Sequence, residues 1–317
     1  MSDIMTCMPF GQLMDWVLQE KKGSDTVFGV HRPYVADAKN NMTIFGRALE
    51  TPVGPAAGPH TQLAQNIIAS YYAGARFFEL KTVQKMDGAE LSACVNKPCI
   101  LADDEGYNCE WSTELTVPDA MGEYIKAWFI LHVIAGEFGL GAQDGFQFNL
   151  SVGYDLEGIK GDKINTFIDG MMEAKDTAVF KECRQWLLDH ADRFQKFTRE
   201  DIEAIPSNVC NSATISTLHG CPPQEIESIA NYLLTEKHLN TFVKCNPTLL
   251  GYDFARKTMD EMGYDYMVFG DFHFRDDLQY ADAVPMLSRL MKLSEELGLE
   301  FGVKITNTFP VDVTRNE

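Results

Sequence analysis

The strongest constraint on the fold is a repeated alternation of short apolar runs with helix-periodic segments, from Val53 to Thr306. The runs begin near Val53, Phe77, Phe146, Ala213, Thr241, Tyr266 and Phe301. Helical spacing follows the first at Leu63, Ile67, Ile68 and Tyr71, and the fourth at Ile226, Ile229, Leu233 and Leu234. Helices are also expected from Asp253 to Met262 and from Ala283 to Leu297. Repeated β-then-α units imply parallel strands joined by helical crossovers. Four of the six steps between runs are 24 to 35 residues, the size of one βα unit. The other two, of 69 and 67 residues, predict insertions near 85–145 and 160–206, the second as a helical pair. Six of the strands are well formed and Tyr266–Phe269 is weak, whereas a closed barrel needs eight. At this length the pattern suits two domains or one α/β TIM barrel, and six or seven strands would leave such a barrel incomplete, with its last strands missing. Residues 1–50 read as an entry segment, with a helix near Phe10–Glu20 and a short strand pair over Thr43–Leu49. Residues 51–317 read as the barrel portion.

Composition narrows the function classes. Apolar residues at 45% and charged residues at 23% are those of a globular core, not of a disordered or fibrous chain. A net charge of −19 repels phosphate backbones and anionic lipid, so no nucleic-acid partner is expected. The most apolar stretch, Tyr124–Leu140, is interrupted by Lys126, His132 and Glu137 and reads as a buried helix, not a membrane span. The N-terminus lacks a basic segment followed by an apolar one, so the expected location is cytoplasmic and the eight cysteines are expected to be reduced.

Three motifs carry chemistry. Gly54-Pro55-Ala56-Ala57-Gly58 packs glycine and proline at an expected strand end, before a helix whose N-terminus would offer N–H groups to an anion. A tight βα turn needs the same residues. The G-x-G-x-x-G dinucleotide spacing is absent. Lys81 and Lys244 each end an apolar strand, where a parallel sheet is normally dry, and Asn246 follows two residues after Lys244. In a barrel both lysines would reach the carboxyl mouth, as expected for an anion or an electron-rich cofactor, or they are solvated strand ends. Cys221 precedes Pro222 and Pro223 at an expected helix start, which lowers a thiol pKa, and His219 is close enough to act with it as an acid/base pair. A reduced cysteine in a proline-capped turn fits the same pattern. Cys94, Cys99 and Cys109 do not match zinc or iron–sulfur spacings, so no metal site is expected.

Longer stretches carry a family likeness. Glu50–Asn66, Phe77–Gln84, Asp104–Leu115, Ser216–Glu227, Phe242–Arg256 and Phe301–Val313 together resemble the YgfK-type selenate reductase subunits. That family is similar to the dihydropyrimidine and dihydroorotate dehydrogenases, whose barrel binds FMN. The resemblance implies a barrel of the dihydroorotate dehydrogenase type. It implies a flavin-side loop at Gly54, Ala56, Ala57 and Gly58, a lysine end at Lys81 and Thr82, and a cation beside the flavin ring at Lys244. Asn149, Asn246, Asn307 and Thr308 complete the expected cofactor contacts, and Cys221-Pro222 resembles the Cys-Pro of the dehydrogenases' catalytic loop, with His219 two residues before the cysteine. Leu218 stands where the dehydrogenases have Asn, which argues against a pyrimidine or orotate substrate. No counterpart of strands seven and eight, which hold the flavin phosphate, is found. The chain thus resembles the N-terminal flavin-barrel portion of a multi-domain oxidoreductase. Its partners would be downstream modules or subunits that carry 4Fe-4S clusters and FAD with NAD(P). Two other functions suit the residues: a non-catalytic barrel scaffold in a larger complex, or an aldolase or lyase using Lys81 or Lys244 as a Schiff base.

Overall fold

The computed structural model describes residues 5–37, 42–81, 83, 86, 90, 115–153, 155–216, 220–305 and 311. Strands are β1 (Met42–Ile44), β2 (Arg47–Leu49), β3 (Phe77–Glu79), β4 (Gln147–Val152), β5 (Cys210–Ile215), β6 (Asn240–Cys245) and β7 (Phe301–Ile305). The chain divides into two units, one of residues 1–151 and 160–211, the other of 152–159 and 212–317.

In the first unit β1 and β2 form the expected antiparallel pair. β3 pairs in parallel with β4, Phe77 opposite Gln147 and Glu79 opposite Asn149. The run at Val53 is not a regular strand, although it lies along β3. Phe77 N–H donates to Val53 O (3.2 Å) and Glu79 N–H to Pro55 O (3.2 Å). The return bond of a parallel ladder would come from the amide of residue 55 to Phe77 O, and proline has no N–H. Between these bonds sits Gly54, where a Cβ would lie 1.5 Å from Phe77 O, so only glycine allows this approach.

The long helix Val117–Phe138 is capped by Thr116, whose hydroxyl accepts from Asp119 N–H, and ends at Gly139 in the left-handed region. It is apolar on nearly every face, so it is buried on nearly every face, as expected for this stretch. Among the described residues no helix is long and apolar enough to cross a membrane. Helix Ala64–Ala73 buries Ile67, Ile68, Tyr71 and Tyr72, and each isoleucine is worth about 1.5–3 kcal/mol relative to exposure. Helices Asp162–Met172 and Ala178–Asp189 form the expected pair; Ile164, Phe167, Ile168 and Met171 give the first a single apolar stripe.

At the N-terminal end of β3 lies a buried ion pair, Arg76 Nε to Glu50 Oε2 at 2.6 Å. The remaining valences are filled: Arg76 Nη1 donates to Tyr71 O and Ala75 O, and Glu50 Oε1 accepts from Ala142 N–H. A pair this completely hydrogen-bonded at the amino end of a barrel strand is structural, not catalytic.

In the second unit β5, β6 and β7 pair in parallel in chain order, with Ala213 opposite Thr241 and Thr241 opposite Phe301. Helix Pro223–Thr235 packs on β6 and helix Tyr280–Leu297 on β7. The weak strand at Tyr266–Phe269 does not form. Only Val268 makes a bridge; Tyr266 and Val268 are exposed, while Phe269 is buried against Tyr252 and Phe274.

Candidate functional site

In the first unit the carboxyl ends of β3 and β4 collect buried polar groups. Glu79, Lys81, Asn149 and Ser151 are all buried there, against the expectation for the middle of a dry sheet. Asn149 lies opposite Glu79 in the parallel register. Lys81 lies two residues beyond the end of β3, and its backbone carbonyl accepts from Tyr124 Oη at 3.0 Å. Glu79 Oε2 accepts from Ala57 N–H at 3.1 Å, so the carboxylate holds the Gly54–Gly58 loop against the strand end. Ala56 is exposed and Gly58 is buried. A Cβ on Gly58 would lie 2.5 Å from the His60 imidazole, so both glycines make room for protein rather than for open space.

One expectation is corrected here. The N-terminus of helix Ala64–Ala73 is not open to an outside anion. Ala64 N–H donates to Glu123 Oε2 at 2.7 Å, so a carboxylate from helix Val117–Phe138 already occupies it. Glu123 also pairs with Lys126, whose ammonium donates to Met8 O at 2.6 Å. Burial, with Glu123 adding to it, pushes the nearby Cys7 thiol up to about 12.

In the second unit the loop after β5 carries Cys221, and Thr217–His219 lie outside the described residues. Helix Pro223–Thr235 starts one residue later than Pro222, which is its N-cap, so Cys221 stands just before the cap and is half-buried. Gly220 supplies the turn with φ at 81°. The loop is tethered from two sides. Gly220 N–H donates to Asp277 Oδ1 at 2.8 Å, and Thr248 Oγ1 donates to Asp277 Oδ2 at 2.6 Å. This buried carboxylate joins the Cys221 loop to the turn Pro247–Leu250 after β6. Lys244 lies in β6, and its ammonium donates to Ser216 Oγ at 2.7 Å. Asn246 is the N-cap of the Pro247–Leu250 turn and is half-buried. Thr82, Asn307 and Thr308 lie outside the described residues.

Within each unit, then, the candidate residues gather at carboxyl strand ends. Sequence reasoning missed Asp277, Ser216 and Lys304. Asp277 sits in the charged run Arg275-Asp276-Asp277 and gives no signal of burial. Lys304 was legible: Val303-Lys304 repeats Val243-Lys244 at an equivalent strand end.

Parallel βα units in chain order, with polar and cationic side chains at the carboxyl ends of the strands, define an α/β barrel protein of the TIM type. The chain belongs to the family described as "Oxidoreductase YgfK, N-terminal TIM-barrel domain", whose model matches residues 28–317. It is 46% identical over 322 residues to the "Putative oxidoreductase YgfK" of Escherichia coli (strain K12), and equally to that of Escherichia coli O157:H7. These alignments cover 97% of this chain and 31% of each relative, so the chain spans about a third of their length. Among solved structures it is similar to ligand-free DHODH from Eimeria tenella, with TM-score 0.36, 14% identity, and coverage of 93% of this chain and 83% of that one. The same enzyme in complex with ferulenol gives TM-score 0.42 and 14% identity, covering 95% and 81%.

Proposed function

We propose that this chain is the flavin-barrel portion of a multi-domain oxidoreductase, with FMN as its resident cofactor. The observation that carries this reading is the placement of a lysine at a carboxyl strand end in each unit, Lys81 after β3 and Lys244 in β6, in a chain of an oxidoreductase family. In the second unit a fixed Lys244 ammonium and the half-buried Asn246 suit a polar, electron-rich ring system. FMN, when bound, would supply two-electron and one-electron chemistry that no side chain has. The protein's own groups would hold and bias it. Ser216 fixes the Lys244 ammonium by accepting its hydrogen bond, and a fixed cation favours negative charge beside it. Asp277 holds the Cys221 loop, and the Cys221 thiol can hold or release a proton at Sγ. Electrons would pass to 4Fe-4S and FAD/NAD(P) modules elsewhere in a longer polypeptide or in partner subunits, and the location would be cytoplasmic. Selenate reduction is the finer form of this reading, and selenate-dependent reoxidation of the flavin tests it.

The main test is purification of a polypeptide of the relatives' full length, followed by flavin analysis. FMN is expected in stoichiometric amount, and Lys244→Met should retain it with a lowered reduction potential. Absence of any flavin after reconstitution, or borohydride trapping of a carbonyl substrate on Lys81 or Lys244, would overturn the reading.

A further inference from the structure

Three polar side chains form a row across the carboxyl ends of β5, β6 and β7. Register sets Ile215 opposite Val243, and Lys244 opposite Lys304. Ser216, one residue beyond β5, is therefore level with Lys244, and the 2.7 Å bond from Lys244 Nζ to Ser216 Oγ closes that side of the row. Side chains alternate along a strand, and directly opposite residues of neighbouring parallel strands share a face. Lys244 and Lys304 thus share the face opposite to buried Val243 and Cys245. One level below, Phe242 stands opposite Gly302, and a Cβ on Gly302 would come within 2.6 Å of the Phe242 ring. The ring lies over the space that a side chain at 302 would fill, and gives the two lysines an apolar floor.

Two ammonium groups on strands about 4.8 Å apart repel each other, and like charges directly opposite destabilise a sheet. The same arrangement attracts an anion, which would receive a charge-assisted hydrogen bond from each lysine. Ser216 adds a third donor, because its oxygen accepts from Lys244 and its own proton remains to be given.

We propose that Ser216, Lys244 and Lys304 form an oxyanion-binding row that takes the phosphate or carboxylate group of a small anionic ligand. The proposal follows from strand register and does not need the flavin reading. It is tested by calorimetric titration of the 317-residue chain with orthophosphate, and separately with malonate, in chloride at constant ionic strength. At least one probe should bind saturably at one site; phosphate alone or malonate alone identifies the group recognised. Lys304→Met should weaken that binding at least about tenfold, whereas Lys304→Arg should stay within about threefold. If neither probe binds saturably, or if Lys304→Met titrates like the parent, the row is not an anion site. Should Lys304→Met fail to fold, carbon-13 dimethylation of the parent's lysines gives a second readout. The Lys304 methyl resonances, identified through Lys304→Arg, must then shift with the saturating probe, and resonances that stay fixed overturn the proposal.

Discussion

Cys221 shows how one residue's reactivity depends on its surroundings. Among the described cysteines, Cys183, Cys210 and Cys245 are buried, and burial raises the thiol pKa of Cys183 and Cys245. Cys7 is half-exposed, yet burial and the Glu123 carboxylate push it up to about 12, so it holds little thiolate at neutral pH. Cys221 is half-buried and stands just before a helix N-terminus, which favours the thiolate. With iodoacetamide at neutral pH, Cys221 should be alkylated at least about tenfold faster than these four, as read by peptide mass spectrometry. If Cys221 ranks among the slowest, it is a structural thiol and has no acid/base role. Lys81 and Lys244 were legible in the sequence because lysine contradicts an apolar run. Asp277 was not, because its importance lies in two hydrogen bonds to residues 57 and 29 positions away.

At the scale of elements, helix Val117–Phe138 shows what burial does to a titratable group. His132 is surrounded by aromatic rings, with Trp128 at 4.5 Å and Phe146 at 5.1 Å between centroids. Burial lowers its pKa from 6.5 to about 4, although its Nδ1 meets Trp128 O at 2.8 Å. The fold therefore holds neutral imidazole while the unfolded chain takes up a proton as pH falls below 6.5. Stability contributed by His132 is complete above that value and is lost as pH drops toward 4. Between pH 7 and pH 5 the loss is about 2 kcal/mol. Urea unfolding at the two pH values should show this loss in the parent, and His132→Phe should reduce it; equal losses would show that His132 does not set it. The pattern of apolar spacing predicted this helix well. It predicted the strand at Val53 less well, because periodicity does not report that Pro55 lacks the one amide the ladder needs.

Among the described residues the most exposed large apolar side chain, Ile305, lies on β7. Val303 is 40% and Ile305 80% exposed, both on the face of β7 shared with buried Val243 and Cys245 of β6. An apolar face on a strand of a parallel sheet is normally covered, and left open it favours self-association. The 317-residue chain is expected to self-associate at micromolar concentration, and Ile305→Lys should shift it toward monomer in sedimentation velocity. A monomeric parent, or a variant that associates equally, would exclude this face as the cause.

Alternation of apolar runs and helical periods was enough, by itself, to establish parallel βα units, because parallel strands and amphipathic helices each impose a local period. It also marked Lys81, Lys244 and the Cys221 turn, whose residue types conflict with their local surroundings. Only the tertiary structure decided which strand-like runs become strands. Pro55 interrupts one ladder, and Tyr266–Phe269 buries Phe269 against Tyr252 and Phe274 without becoming a strand. It also decided that Glu123 fills a helix N-terminus, that Asp277 ties down the cysteine loop, and that Lys304 stands level with Lys244. Those facts depend on register and on contacts between residues distant in the chain, and no local period records them.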